Sequence, residues 1–341
     1  MLKLLFIGPT FYGSTTSMRL DAIQNYFGDT CEITVINTQE IIDKHNRIAR
    51  ILAYRYKTGP IVASLSNIAL ETSITYDYIW MEKAVLFQPK FIQQLKKLTH
   101  CLIHFSPDPA FLYHKSIKFN KNISYYDFAV TTKSFELDYY YQFAGKEKTI
   151  MVNQAYSPNT HYITKPFSER KKEIVFIGHF EKNRGETLQV LLDNNFPIAL
   201  AGRDWNRFVS KNKDNSNFTF LGEKLYGDAY RETLNTYQFS IGFLSEWIPE
   251  KHTTRSFEIP ACGCILITPT NPEISSFYGE DEAIHYTTLK ELTSKLKYFF
   301  SHDKQRGKIA SRCHQKTVSS GFTHYDGIEH IFNTISKSKS H

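Results

Sequence analysis

Two stretches of the chain begin alike, and that likeness limits the folds open to it. Lys3–Gly8 (KLLFIG) and Glu173–Gly178 (EIVFIG) are each an uninterrupted apolar run closed by glycine, then a polar loop, then residues at helical spacing. A strand apolar on both faces is one covered on both sides by helices, and a glycine at its end lets a tight turn feed the next helix. Second strands follow in each half, at Glu32–Ile36 and Pro197–Ala201. Further strand candidates are Tyr78–Trp80, Cys101–Phe105, Phe128–Thr131 and Thr149–Val152 in the first half. In the second half they are Thr219–Leu221, Phe239–Phe243, Cys264–Thr268 and Ala283–Tyr286. Helical stretches such as Pro89–Leu98 and Gly227–Tyr237 lie between them. Strands alternating with helices predict parallel sheets, and two such series predict an α/β chain of two Rossmann-like domains. The polar, proline-containing stretch Ser157–Lys172 marks the join, giving expected domains of residues 1–160 and 161–320. Cys313–Ile335 reads as helix followed by a short polar tail, and the C-terminal helix and tail, 321–341, are expected to return toward the first domain.

The length of 341 residues suits two domains, and 41% apolar with 22% charged residues is a globular composition. No apolar run approaches the roughly 20 residues that span a bilayer, and the start MLKLLFIGPTFYG is too short in apolar residues for a secretory signal. A cytoplasmic location, extending at most to the inner face of a membrane, is therefore expected. The net charge of +7 is dispersed apart from Lys121, Lys146, Lys148 and the run Arg170-Lys171-Lys172. It favours anionic ligands, and any membrane contact is expected to be peripheral and electrostatic, through basic residues of the first domain. No nucleic-acid-binding motif accompanies the charge, so nucleic acid is not the expected partner. The five cysteines include no C-x₂-C pair; Cys262 and Cys264 read as small buried residues of a strand, and no metal site is expected.

The glycine loops exclude two large enzyme classes. Gly8-Pro-Thr-Phe-Tyr-Gly13-Ser14 approaches a P-loop, but Ser14 stands where that motif needs its lysine. A G-x-G-x-x-G fingerprint is absent, which argues against a dehydrogenase. In Gly178-His-Phe-Glu-Lys182-Asn-Arg184-Gly185, backbone amides at a helix start together with Lys182 and Arg184 would suit a diphosphate; two solvated charges are the alternative. Further on, HTTRSFEIPACGC places Arg255 and Glu258 three residues apart where a short helix meets an apolar strand. This is either a local ion pair or a junction facing a ligand that bears both hydroxyls and phosphates. Glu250 precedes Glu258 with seven residues between them.

That E-x₇-E region resembles the donor site of retaining nucleotide-sugar glycosyltransferases of the GT-B fold. HTTRSFEIPACG resembles more specifically their spore-maturation CgeB-like branch. FIGHFEKNRGETL, FLGEKLYGDAYRETLNTYQFSIGFL, YDFAVTTKSFELDYY, IWMEKAVLFQPKFIQQLK and HFSPDPAF extend the resemblance in order along much of the chain. It implies two Rossmann-like domains facing across a cleft, with the acceptor on the first and a UDP-, GDP- or dTDP-sugar on the second. It also implies transfer to an acceptor hydroxyl of a glycan or surface polymer without a separate cofactor. Glu258 is then the carboxylate for the ribose hydroxyls, and Arg255, Lys182 and Arg184 are the cations for the leaving diphosphate. Thr253 and Thr254 supply further donors, Gly178 lies in the phosphate loop, and Glu250 reads the sugar. His252 is a ligand contact or a turn residue. Arg203, Asp204 and Trp205 are candidates for the base side. On the acceptor side, strand ends offer Gly8, Gly13, Ser14, Lys83, His104 and Asp108, although Pro107 and Pro109 also suit Asp108 to a plain turn. With no paired aspartates placed to bridge a metal and a diphosphate, metal-independent chemistry is expected. A nucleotide-sugar epimerase on the same fold, a degenerate binding module and a nucleic-acid-directed glucosyltransferase are the competing readings.

Overall fold

The computed structural model describes residues 1–339. It divides into two compact units: Met1–Asn153 together with the chain from His324 onward, and Gln154–Thr323. Each is built on a six-stranded sheet whose paired strands are all parallel. In the first unit the strands are β1 (Leu2–Gly8), β2 (Cys31–Asn37), β3 (Tyr78–Glu82), β4 (Leu102–Ser106), β5 (Phe128–Thr131) and β6 (Thr149–Met151), in the order β2-β1-β3-β4-β5-β6. In the second they are β7 (Lys171–Ile177), β8 (Ile198–Ala201), β9 (Phe218–Gly222), β10 (Tyr237–Ile241), β11 (Ile265–Pro269) and β12 (Ile284–Tyr286), in the order β12-β11-β10-β7-β8-β9. All twelve strands read from the sequence form, each within a few residues of its expected limits.

The two orders share one consequence. In each unit the chain lays its first strands to one side of the opening strand, then returns to lay the rest on the other. The reversal falls between β1 and β3 in the first unit and between β7 and β10 in the second. Loops leaving the carboxyl ends of such neighbours diverge and leave a crevice, the place where open parallel sheets bind ligands.

Both faces of each sheet are covered. In the first unit Leu5, Ile7, Ile79 and Met81 face one apolar layer, and Leu4, Phe6, Trp80 and Ile103 face the other. The second layer is completed from the far end of the chain. Ile328, Ile331, Phe332 and Ile335 of the helix His324–Lys339 belong to it, and Phe332 stacks on Tyr26 (5.3 Å between ring centres) and meets Tyr78 edge-on at 5.2 Å.

The sequence expectation of one helix over Cys313–Ile335 is corrected here. Asp303–Ser319 and His324–Lys339 are separate helices belonging to different units. Gly321, with φ of 71°, ends the first, and Tyr156 pairs with Thr323 where the chain passes on. The stretch around Ser157–Lys172 is packed into the second unit, which begins at Gln154 and not after residue 160. Tyr156 is a core residue there, and Arg170 is buried with hydrogen bonds to the carbonyls of Lys165 and Cys262 and to Asn235.

Phe332→Ala should cost roughly 3–5 kcal/mol, since it removes a fully packed ring from a core. Urea unfolding followed by tryptophan fluorescence checks this, because Trp80 lies in the same layer. The exposed neighbour Tyr325→Ala should change stability little.

Candidate functional site

Several charged side chains of the second unit meet at its reversal point. After β7 the loop Gly178–Glu181 leads into the helix Lys182–Asp193; after β10 the chain runs as a loop to the short helix Arg255–Ala261. One buried carboxylate joins the two. Glu181 Oε1 pairs with Arg184 Nη2 at 2.5 Å and lies 3.1 Å from His179 Nε2. Its Oε2 accepts from Ser245 Oγ at 3.2 Å and from the Glu246 amide at 3.0 Å. The loop after β10 is thereby fastened to the loop after β7. Glu250 adds a bond within it, accepting from the Ser245 amide at 3.1 Å.

Arg184 is completely buried, so its charge is neutralised locally by Glu181. Burial and the nearby Arg255 hold its guanidinium down to about 10, against the opposing pull of Glu181, Glu250 and Glu246. Arg255 differs. It is half-buried, forms no ion pair, and its buried Nε has no hydrogen-bond partner among the described residues. Its charge also bears on His179, which is lowered first by burial and then by Arg184 and Arg255. Arg255 is thus a cation held in place with donor capacity to spare. Thr253, two residues before it, is buried with its hydroxyl unpartnered among the described residues, and Thr254 stands at the start of the short helix without a side-chain capping bond.

Arg255 and Glu258 do not pair with each other. Glu258 is buried on another side of the helix, where Oε2 accepts from Tyr230 Oη at 2.9 Å and Oε1 lies 3.8 Å from His161 Nε2. Burial lowers the pKa of His161, opposed by Glu258 and reinforced by Arg231, so the ring is neutral near pH 7. Tyr230 is pushed up by burial and by the Glu258 charge, which keeps it a hydrogen-bond donor. The carboxylate is fixed at one oxygen and lacks a close donor at the other.

Several residues expected at the ligand have structural duties instead. His252 is buried: its Nδ1–H donates to Glu273 and its Nε2 accepts the Gln154 amide at 3.0 Å, which uses both nitrogens. Trp205 is buried with Nε1 donating to the Gly178 carbonyl at 2.8 Å, so it braces the loop and cannot flank a base. Gly178 and Gly202 make that junction possible. A Cβ on Gly202 (φ 144°) would lie 1.8 Å from the Gly178 oxygen. Lys182 is a solvated first-turn residue, 3.6 Å from Glu186, and Arg203 and Asp204 are exposed beyond Trp205. Sequence reasoning missed Glu181, Tyr230 and His161, although each lies in a stretch already noted: Glu181 in the glycine loop, Tyr230 in the helical stretch Gly227–Tyr237 and His161 in the join Ser157–Lys172.

The first unit has a cavity of about 210 Å³ at its own reversal point, between the carboxyl ends of β1, β3 and β4. Lys83, at φ 53° just after β3, turns its ammonium to Asp108 at 3.0 Å, and both line the cavity with His114, Tyr54, Gln39 and apolar residues including Phe87. Burial would raise the Asp108 carboxyl, but Lys83 and Lys133 more than offset it and hold it below its ordinary value. His114, unremarked in the sequence, is held down to about 4 by burial and Lys57, with Asp108 opposing, and is neutral near pH 7. Ser14 caps the helix Thr15–Phe27, and Gly13 turns into it with φ of 74°. Gly8 sits at the end of β1, where a Cβ would press on Phe6 and Glu82. Beneath the cavity Glu82 pairs with Arg19 through two bonds of 2.5 and 3.0 Å, both residues buried. His104 is not at the cavity. It is buried in β4 among Phe119, Tyr126 and Tyr140, so the expectation that it assists an acceptor is corrected.

Residues 184–332 match the model of a family described as glycosyl transferase-like. No curated protein sequence matches the chain. In fold the chain is similar to HepE of Anabaena, solved with UDP and glucose, at 12% identity over 99% of this chain and 100% of that one, with a TM-score of 0.67. It is similar also to a glycosyltransferase from Rickettsia africae ESF-5 (10% identity, 97% of each chain, TM-score 0.61). A third likeness is to an α,α-trehalose 6-phosphate synthase from Burkholderia multivorans (10% identity, the full length of both, TM-score 0.63). The architecture is that of the GT-B fold.

The burial of His104 has a pH signature. Desolvation lowers its pKa from 6.5 to about 3, so below pH 6.5 the unfolded chain takes a proton that the folded one refuses. Stability is therefore full above pH 6.5 and falls as pH drops toward 3, by at most about 1.4 kcal/mol per pH unit. His104→Phe should flatten that part of the stability profile, as measured by urea unfolding between pH 4 and 7.

Proposed function

We propose that the protein is a glycosyltransferase that moves a sugar from a nucleoside diphosphate to an acceptor hydroxyl, with retention at the anomeric carbon and without a metal ion. The observation carrying this reading is the pair of functions on one short helix: a cation with unused donors, Arg255, and a seated carboxylate with one free oxygen, Glu258. A nucleotide-sugar presents the matching groups, a diphosphate and a ribose diol. The glycosyl transferase-like match over residues 184–332 and the likeness to HepE, solved with UDP and glucose, support it. The narrower assignment to the CgeB-like branch belongs to the same proposal and rests on HTTRSFEIPACG.

In the step proposed, the bond from the anomeric carbon to the diphosphate oxygen breaks with its electron pair on the diphosphate. The acceptor oxygen bonds to that carbon, and its proton passes to the departing diphosphate. Arg255 stabilises the charge that grows on the leaving group, a stabilisation worth most where water is excluded. Arg184, already neutralised by Glu181, fixes the loop and contributes field in place of a free charge. The cavity of the first unit is the acceptor seat in this reading. Its Lys83–Asp108 pair and neutral His114 offer donors and acceptors to hydroxyls, and Tyr54 and Phe87 offer apolar wall.

Thermal shift with UDP, GDP and dTDP should show stabilisation by one of them, rising with its concentration. Glu258→Gln should weaken that nucleotide by about one to two decades in Kd, from the loss of a charge-assisted bond worth roughly 1.5–3 kcal/mol. Arg255→Lys keeps the charge but loses the planar fork, and should lower turnover more than ground-state binding. If both variants bind and turn over donor like the parent, the helix is structural and the reading fails. Exchange of sugar hydrogens when donor is incubated alone in D₂O would identify an epimerase instead.

A further inference from the structure

The helix Arg47–Tyr56 of the first unit turns its larger apolar residues outward. It buries only Ala49 and Ala53, with Leu52 half-buried, while Ile48, Ile51, Tyr54 and Tyr56 are 67, 47, 46 and 59% exposed. A surface helix ordinarily does the reverse. At about 100° per residue Ile51 falls at the centre of the outward face, with Arg47 and Tyr54 on one side and Arg55 and Ile48 on the other. The charge around this face has one sign. Between Asp43 and Glu71 the chain has no acidic residue, but it has Lys44, Arg47, Arg50, Arg55 and Lys57. Arg50 is held by Asp43 at 2.8 Å, and Lys57 is buried with its ammonium on the Tyr54 carbonyl. Lys44, Arg47 and Arg55 are exposed and form no ion pair among the described residues. Lys118 donates to the Lys57 carbonyl at 3.1 Å, which brings the helix Ile117–Asn122, with Ile117 78% exposed, beside the same end.

We propose that this face docks on an anionic membrane surface. Ile48, Ile51 and Tyr54 enter the boundary between headgroups and acyl chains, while Lys44, Arg47 and Arg55 meet the anionic headgroups. Apolar residues interleaved with uncompensated cations suit a flat, uniformly negative surface. No helix among the described residues is long and apolar enough to cross a membrane, so the helix lies in the plane of the surface. The contact goes beyond the purely electrostatic association that charge alone suggested, because apolar side chains take part. Tyr54 also lines the cavity of the first unit, so docking places that cavity beside the bilayer. The docking does not depend on the transferase reading.

The full chain, without donor or acceptor, should sediment with vesicles of phosphatidylcholine containing phosphatidylglycerol and not with phosphatidylcholine alone. Arg47→Gln with Arg55→Gln should weaken binding about 30-fold, near fivefold for each charge at such a surface. Ile48→Ser with Ile51→Ser should weaken it about tenfold or more, and part of the parent's binding should survive high salt, which screens charges but not apolar burial. All four side chains point to solvent, so melting temperatures should be unchanged in both double variants. Failure to bind, equal binding to both vesicle types, or binding untouched by the isoleucine changes overturns the proposal. So does a parent that binds no vesicle and is a dimer that the isoleucine changes make monomeric, because the face then covers a second copy of the chain.

Discussion

The arrangement in the second unit depends on one buried carboxylate. Withdrawing Glu181 and Arg184 from water costs several kcal/mol per ion, and their attraction offsets this only if the remaining hydrogen-bonding capacity is also filled. Glu181 fills it with His179, Ser245 and the Glu246 amide. Two of those partners belong to the loop after β10, so satisfying the charge and positioning the loop are one event. The course of that loop sets where the helix Arg255–Ala261 starts, and with it the placement of Arg255 and Glu258.

The first unit solves a similar problem in a similar place. Arg19, on the helix after β1, reaches across the reversal point to Glu82 at the end of β3, and both are buried. In each unit a buried arginine from the first helix is tied to a glutamate beside the crevice that strand order opens. Each leaves exposed or half-exposed polar groups above it: Lys83, Asp108 and His114 in one unit, Arg255 and Glu250 in the other. A rigid ionic floor beneath adaptable side chains is what a binding site on a loop-rich edge requires.

Most of the strands were legible in the sequence because burial on both faces leaves continuous apolar runs; the edge strands β2 and β9, partly exposed along their length, are exceptions. Their reversal-point loops were legible too, through Gly8 and Gly178. Side-chain destinations were less so. Arg255 and Glu258 were seen as neighbours in sequence, but helix geometry and the partners Tyr230 and His161, distant along the chain, draw the carboxylate away from the arginine. Trp205 was a candidate for the base side because it follows the second strand of its half, and His252 was open between a ligand contact and a turn residue; their rings are consumed by Gly178, Gln154 and Glu273, all more than twenty residues away along the chain. His104 pointed to chemistry by its place near a strand end, but β4 is buried on both faces and the ring lies in the core. His114 went unnoticed because nothing in its neighbours marks it; only folding brings it beside Asp108.

The helix His324–Lys339 completes the core begun by β1, yet everything from Gln154 to Thr323 is made between them. During synthesis the second unit can close on its own residues as soon as they emerge. The first unit must wait with Tyr26, Tyr78 and Trp80 uncovered until Phe332 arrives. The nascent first half is therefore the period of greatest exposure to aggregation and to chaperones. An interrupted or prematurely terminated chain would present a finished second unit joined to an unfinished first.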